Sequence, residues 1–75
     1  MERYKNLGGN SGVTAYEIGD DSMKVQFGDG AIYLYDYQSA GRSNIENMKE
    51  LAIAGKGLNS FISRVVRKGY VSKLR

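Results

Sequence analysis

Residues 23–35, MKVQFGDGAIYLY, contain two short runs of strand-forming residues on either side of Gly28-Asp29-Gly30. In the first run every second residue is apolar, which is the period of a strand with one buried face. Glycine and aspartate between two such runs are typical of a β-hairpin. The sequence therefore predicts two antiparallel strands, Met23–Phe27 and Ala31–Tyr35.

The register of this hairpin decides which side chains face the core. We expect Phe27 to pair with Ile32 across a four-residue loop, which places Val25 opposite Leu34. These four side chains would then share the inner face of the sheet. The outer face would carry the pairs between them, Gln26 opposite Tyr33 and Lys24 opposite Tyr35.

A third strand is expected before the hairpin. Val13–Ile18 is rich in β-branched and aromatic residues and is followed by a turn with two aspartates. Residues 1–12 contain three glycines and several small polar residues, whose ordering costs entropy. We therefore predict a flexible lead over residues 1–12 and a single domain over residues 13–75 that starts with a three-stranded meander.

The second half of the chain changes to a helical period. Residues 43–46 read Ser-Asn-Ile-Glu and match the capping-box pattern, so a helix should begin at Ser43. Gly55 is typical of a helix C-terminus. Apolar residues recur at three- and four-residue steps from Leu58, which predicts a second helix that ends at Gly69. Residues 70–74 would add a short edge strand or remain a tail, and the predicted fold class is α+β, a three-stranded antiparallel meander followed by two packed helices. The stripe expected to be buried on the second helix is Leu58, Phe61, Ile62, Val65 and Val66.

The composition excludes several kinds of chemistry. The 75 residues include no Cys and no His, so the usual ligands of zinc, iron–sulfur and haem sites and the usual neutral-pH base are missing. Gly55-Lys56-Gly57 lacks the earlier glycine and the following Ser or Thr of a phosphate-binding loop. We expect no enzyme activity, no metal and no cofactor. Because no run of eighteen apolar residues occurs, we also expect a soluble cytoplasmic protein with no membrane partner.

Charge is divided unevenly along the chain. Residues 1–41 carry six acidic and three basic residues, whereas residues 51–75 carry six basic residues and no acidic one. Arg64, Arg67 and Lys68 have the spacing that would place them on one exposed ridge of the second predicted helix. A cationic surface of this kind favours a polyanionic partner.

The order of these features resembles the KTSC domain, a family found at the C-terminus of some lysyl-tRNA synthetases and as small free-standing bacterial and phage proteins. Phe27–Tyr35 resembles the F-x-x-G-x-x-Y-x-Y centre of the family, and Leu51–Ile62 resembles its stretch of small residues, Lys-Gly, Asn and Ile. The family's Val-Pro after the second tyrosine is missing, and residues 36–42 look longer and more flexible. The resemblance implies a small β-meander with two helices, and the synthetase context suggests RNA binding.

These observations predict a nucleic-acid-binding domain that prefers RNA or single strands. Tyr33 and Tyr35 on the outer face would stack on bases, with Lys24 beside them. The phosphates would be contacted by Lys56, Arg64, Arg67 and Lys68. A structural role stays open for each group, since the tyrosines could be half-buried under the tail or a partner chain and the ridge could be a solvated helix face.

A second function class is also open. The same cations could bind the acidic surface of another protein, as in a phage or mobile-element inhibitor of a bacterial enzyme or defence system. In that case the chain would be a protein-binding module. For either function we expect a monomer or a weak homodimer.

Overall fold

The computed structural model describes residues 1–9 and 12–75, which form a five-stranded antiparallel sheet with helices packed on one face. The strands lie side by side in sequence order. They are β1 (Glu2–Arg3), β2 (Val13–Ile18), β3 (Ser22–Phe27), β4 (Ile32–Asp36) and β5 (Ser72–Lys73). Between β4 and β5 the chain forms α1 (Tyr37–Ala40), α2 (Arg42–Ala54), α3 (Leu58–Phe61) and a π-helical turn (Ile62–Val66). The α+β class is confirmed, and the predicted meander is extended by two short edge strands.

The β3–β4 hairpin closes with three loop residues rather than four. The Phe27 N–H donates to the Ala31 carbonyl at 2.8 Å, and the Gly30 N–H donates to the Phe27 carbonyl at 2.9 Å. Gly30 has a φ of 90°, as expected for the glycine that follows a type I turn in a three-residue hairpin loop. The Asp29 carboxylate also accepts from the Ala31 N–H at 3.0 Å. The loop is therefore one residue shorter than the predicted loop.

This shorter loop reverses the faces of β4, so the predicted register is wrong. Met23 pairs with Tyr35 and Val25 pairs with Tyr33. A shift of one residue moves every side chain of a strand to the opposite face. Tyr33 and Tyr35 consequently point toward the helices. The outer face instead carries the half-buried aliphatic side chains of Ile32 and Leu34.

The N-terminal residues belong to the fold, in contrast to the predicted flexible lead. Glu2 and Arg3 pair with Tyr16 and Ala15 of β2. Tyr4 is 3% exposed and lies in the hydrophobic core. The Leu7 N–H donates to the Gly55 carbonyl at 2.7 Å, which ties this segment to the end of α2. Residues 10 and 11 of the predicted lead lie outside the described residues.

The first helix begins in a different way from the prediction. Residues 36–42, expected to be flexible, contain α1, which is capped by Asp36 through a reciprocal capping box with Ser39. Gly41 then precedes α2, so Ser43 lies inside the helix and does not cap it. The predicted end is confirmed, because Gly55 has a left-handed conformation and donates to carbonyls of the last turn. The capping box that the structure forms begins at Asp36, seven residues before Ser43, and it caps α1.

The second helix starts at Leu58 as predicted but ends at Val66, three residues before Gly69. Its last turn is π-helical, and the Arg67 N–H donates to the Ile62 carbonyl five residues earlier. A π-helical turn contains more residues than an α-helical turn, so the α-helical spacing no longer applies. Ile62 and Val66 are buried, whereas Val65 is 50% exposed. The predicted buried stripe is therefore wrong at Val65.

Substitution of Gly55 tests the packing of the N-terminal segment. Gly55 has a φ of 81°, and a Cβ there would lie 2.6 Å from Cβ of Lys5. Gly30 also has positive φ but has open space around it. We expect Gly30→Ala to lower the free energy of unfolding by about 1 kcal/mol. Gly55→Ala should lower it by at least about 1 kcal/mol more, because overpacking is added to backbone strain.

Urea unfolding of both variants measures this difference. The two glycines share the left-handed backbone, so Gly30→Ala serves as the control for strain alone. Equal losses in the two variants would contradict the docking of residues 4–7 against the end of α2.

Candidate nucleic-acid interface

The two tyrosines predicted to stack on bases face the helical layer. Tyr35 is 2% exposed, and Tyr33 is half-buried against the core. Their rings contact Tyr70, which follows the helices, at centroid distances of 6.2 Å and 4.7 Å. Phe27 packs edge-on against Tyr33 at 5.6 Å. Tyr70 of the C-terminal segment thus packs against both tyrosines. Tyr35 is too deeply buried to stack on a base.

Burial changes the acidity of Tyr35. Desolvation disfavours the tyrosinate and, with the neighbouring hydroxyls of Tyr33 and Tyr70, raises the pKa of Tyr35 from its ordinary value of 10.0 to about 12. In the unfolded chain the group titrates near its ordinary pKa. The folded state therefore retains a proton that the unfolded state loses between these two pH values.

This difference predicts an alkaline loss of stability. The stabilising contribution of Tyr35 is fully present below pH 10.0 and should be lost as the pH rises toward about 12. Tyrosinate absorbance followed against pH, together with urea unfolding at each pH, measures both effects. Tyr35→Phe should remove one late-titrating tyrosine and reduce the pH dependence of unfolding in this range. An unchanged dependence in Tyr35→Phe would show that another group is responsible.

Lys24 is separated from the other predicted cations. It lies on the outer face of β3, and its Nζ is 3.4 Å from a carboxylate oxygen of Glu17 on β2. The helices pack on the opposite face of the sheet. Lys24 therefore has a counter-ion and lies on the face of the sheet opposite the helices.

The remaining predicted cations all lie on the helical layer and are exposed. Lys56 is in the connection between α2 and α3, Arg64 is in the π-helical turn, and Arg67 and Lys68 follow that turn. The Arg64 Nε donates to the carbonyl of Ser60 at 3.4 Å, which directs the guanidinium along the exposed side of α3. We call these four residues the helical cations. They do not form a ridge on one α-helix, because the helix ends before Arg67.

The helical cations have no carboxylate partner in the described part of the chain. The ion pairs within 4.0 Å there are Lys24 with Glu17 and Lys49 with Glu46. The sequence contains no acidic residue after Glu50, so the neighbours of each helical cation along the chain after that point are neutral or basic. Their positive charges therefore face solvent without an internal counter-ion.

Arg67 adopts a backbone conformation that is unusual for arginine. Its φ of 53° and ψ of −115° are close to the first central position of a type II′ turn, which favours glycine. The turn is closed by the Gly69 N–H, which donates to the Val66 carbonyl at 2.9 Å. A non-glycine residue in such a region costs about 1 to 3 kcal/mol, and such residues cluster at functional sites. The arginine side chain is therefore present at a position where the backbone alone favours glycine.

Sequence reasoning missed the contribution of Tyr4 to the position of Lys56. The hydroxyl of Tyr4 accepts from the Leu58 N–H at 3.3 Å, at the start of α3. Tyr4 and Lys56 line the same cavity of about 170 Å³. Tyr4 thus fixes the end of the connection that carries Lys56. The only local signal is an aromatic residue between charged residues, which does not distinguish a buried tyrosine from an exposed one.

Sequence reasoning also missed a polar cluster around Tyr37. The Tyr37 hydroxyl donates to Glu46 at 2.8 Å, and Lys49 pairs with the same carboxylate at 3.0 Å. The hydrogen bond with Glu46 raises the pKa of Tyr37, and the hydrogen bonds from Tyr37 and Lys49 lower the pKa of Glu46. Lys49 also donates to the Asp20 carbonyl at 2.9 Å. This cluster joins the β2–β3 turn to α2 and neutralises Lys49, so Lys49 is not one of the free cations.

Comparison of the chain with family models, with curated proteins and with solved structures finds no match in any of the three. The KTSC resemblance consequently remains a prediction from residue pattern. Within residues 1–9 and 12–75, no three His, Cys, Asp or Glu side chains are grouped so that they could hold a metal ion. The helices of the same residues are all too short or too polar to cross a bilayer.

Proposed function

We propose that this chain is a non-enzymatic nucleic-acid-binding domain that binds the phosphate backbone through its helical cations. The observation that carries the proposal is the set of four exposed cations without a carboxylate partner among the described residues. Phosphate contacts position a protein on nucleic acid without reading its sequence. The proposal includes a cytoplasmic location, and its preferred ligand is RNA or another single strand.

The binding mode differs from the one expected from sequence. With Tyr35 buried and Tyr33 packed against Tyr70, base stacking on these rings has no support. The affinity would therefore come mainly from counterion release, which makes it strongly dependent on salt. The strained backbone of Arg67 supports a functional role for its side chain, since glycine would fit that turn better.

Charge reversal of Arg64 and Arg67 tests the proposal. Four phosphate contacts to a single strand give a slope of about −3 in log affinity against log salt, from about 0.7 per phosphate. The Arg64→Glu, Arg67→Glu double variant should reduce the slope by about half and weaken binding of a short single-stranded RNA. Fluorescence anisotropy at several salt concentrations measures affinity and slope. An amide-resolved NMR titration with the same RNA locates the contact, and we expect the shifts at residues 56–68.

The control variant changes the net charge equally on the other side of the protein. Arg3 and Lys24 lie on the outer face of the sheet, so Arg3→Glu with Lys24→Glu also removes four units of charge. This control should retain most of the salt slope if the helical cations are the site. Equal losses in both double variants would point to net charge alone, and unchanged affinity after reversal of Arg64 and Arg67 would exclude the proposed site.

Substitution of Arg67 by glycine should have opposite effects on stability and on RNA binding. Arg67→Gly removes the backbone strain and should raise the free energy of unfolding by about 1 to 3 kcal/mol, while it weakens RNA binding by removing a phosphate contact. Arg67→Gln is the matched control, because it removes the charge but keeps the Cβ and hence the strain. Thermal unfolding and RNA titration of both variants separate the two effects. If Arg67→Gly binds as tightly as the natural chain, Arg67 has no part in the site.

One observation favours the protein-binding alternative. Val65 is 50% exposed and lies between Arg64 and Arg67 in the sequence, so an exposed apolar side chain adjoins two of the helical cations along the chain. Apolar contact surrounded by charge is typical of a protein interface and adds little to phosphate binding. Val65→Ser should leave RNA affinity unchanged under the nucleic-acid proposal. A stoichiometric complex with an acidic protein that is lost in Val65→Ser would favour the alternative.

A further inference from the structure

The cavity between the N-terminal segment and the start of α3 has a lining that suits an anion. Its volume is about 170 Å³, which leaves room for several water molecules. Lys56 is the charged residue of the lining, and the polar side chains are those of Tyr4, Asn6, Asn59 and Ser60. None of the described residues that line it is acidic. We call it the Lys56 cavity. A negatively charged group that only accepts hydrogen bonds would meet donors there and no like charge.

The buried hydroxyl of Tyr4 has a proton that no described residue accepts. Tyr4 is 3% exposed, and its oxygen accepts from the Leu58 N–H at 3.3 Å. Leu58 follows Gly57 of the cavity wall, so this oxygen lies beside the Lys56 cavity. A tyrosine hydroxyl donates as well as accepts, and buried polar groups normally use their hydrogen-bonding capacity. The unused donor points to an acceptor that enters the cavity from outside the chain.

Two further donors of the lining are available to the same acceptor. The Lys56 ammonium has no carboxylate within 4.0 Å in the described part of the chain. The Ser60 hydroxyl makes no hydrogen bond to another described residue, although the Ser60 carbonyl accepts from Arg64. Together with the Tyr4 hydroxyl, these groups give one cation and two hydroxyl donors around a small cavity.

This donor set matches a phosphate monoester. Such a group has three terminal acceptor oxygens and carries a charge of about −1.5 to −2 at neutral pH. A phosphodiester within a strand has fewer free oxygens, and the strand continues on both sides of it. Because Tyr4 is buried, an oxygen that reaches its hydroxyl must belong to a group that enters the cavity by its end. The cavity therefore favours the end of a strand over its middle.

We propose that the Lys56 cavity binds the terminal phosphate of a single-stranded RNA. Lys56 and the hydroxyls of Ser60 and Tyr4 hold the phosphate oxygens. The Arg64 Nε donates to the Ser60 carbonyl at 3.4 Å, so the guanidinium of Arg64 lies next to the cavity wall, where the next phosphate of the strand follows. This inference rests on the proposed RNA binding and adds to it a preference for a phosphorylated end, 5′ or 3′.

The affinities for three forms of one short RNA test the inference. The forms carry a 5′-phosphate, a 3′-phosphate or hydroxyls at both ends, and isothermal titration calorimetry measures each form without a label. We expect at least one phosphorylated form to bind about tenfold more tightly than the hydroxyl form, because charge-assisted contacts are added. The form that binds most tightly identifies the end that the cavity takes.

Substitutions in the cavity should remove this advantage. Ser60→Ala and Lys56→Gln should each reduce it to about threefold or less, since each removes a donor. Lys68→Gln is the matched control, because it removes the same charge from a helical cation that does not line the cavity. It should weaken binding of all three forms alike and keep their ratio. Lys56, Ser60 and Lys68 are exposed, and thermal unfolding of each variant checks that the fold is retained.

Three results would overturn the inference and leave the proposed RNA binding intact. The first is equal affinity of the natural chain for all three forms. The second is an advantage of the phosphorylated form that persists in both Ser60→Ala and Lys56→Gln, because the terminal phosphate is then bound elsewhere. The third is a loss of the advantage in Lys68→Gln as large as in Lys56→Gln, because net charge then explains it.

Absence of binding by every form would instead contradict the proposed function itself. In that case an NMR titration with uridine 5′-monophosphate and 3′-monophosphate decides whether the cavity binds a phosphate without an RNA strand. Amide shifts at residues 56–60 would retain the phosphate site, and their absence would overturn it as well.

Discussion

The hydrogen bond from the Phe27 N–H to the Ala31 carbonyl determines most of the structure, because it sets the register of β4 on β3. With a loop of three residues, Tyr33 and Tyr35 join Met23 and Val25 on the face that the helices cover. A loop of four residues would expose both tyrosines and bury Ile32 and Leu34 instead. One residue of loop length thus determines which side chains of β4 enter the core and which remain on the surface.

The two ends of the chain complete the core that this register creates. Tyr70 packs on Tyr33 and Tyr35, and the chain after it pairs with β4 as an edge strand. At the other edge β1 pairs with β2, and Tyr4 enters the core beside Leu58. A chain of this length has a small core, so burial of an aromatic residue from each end is a large share of the available apolar contact. Both short edge strands are therefore structural parts of the domain.

The positions of the acidic residues determine which cations on the surface have a counter-ion. Lys24 and Lys49 have carboxylates within reach, whereas the helical cations follow the last acidic residue of the sequence and have none in the described part of the chain. This distribution leaves positive charge on the helical layer, and the proposed RNA contact results from it. The strained turn at Arg67 links the stability of the domain to that contact.

The sequence by itself determined the α+β class, the strand Val13–Ile18, the end of the first long helix at Gly55 and the cluster of C-terminal cations, since each depends on local periodicity, turn residues or composition. The tertiary structure decided the hairpin register, the burial of Tyr4 and Tyr35, and the π-helical turn that exposes Val65. The physical reason is that three- and four-residue hairpin loops have similar local cost, and both faces of β4 carry apolar side chains. Only the packing of helices and chain ends against the whole sheet distinguishes these alternatives.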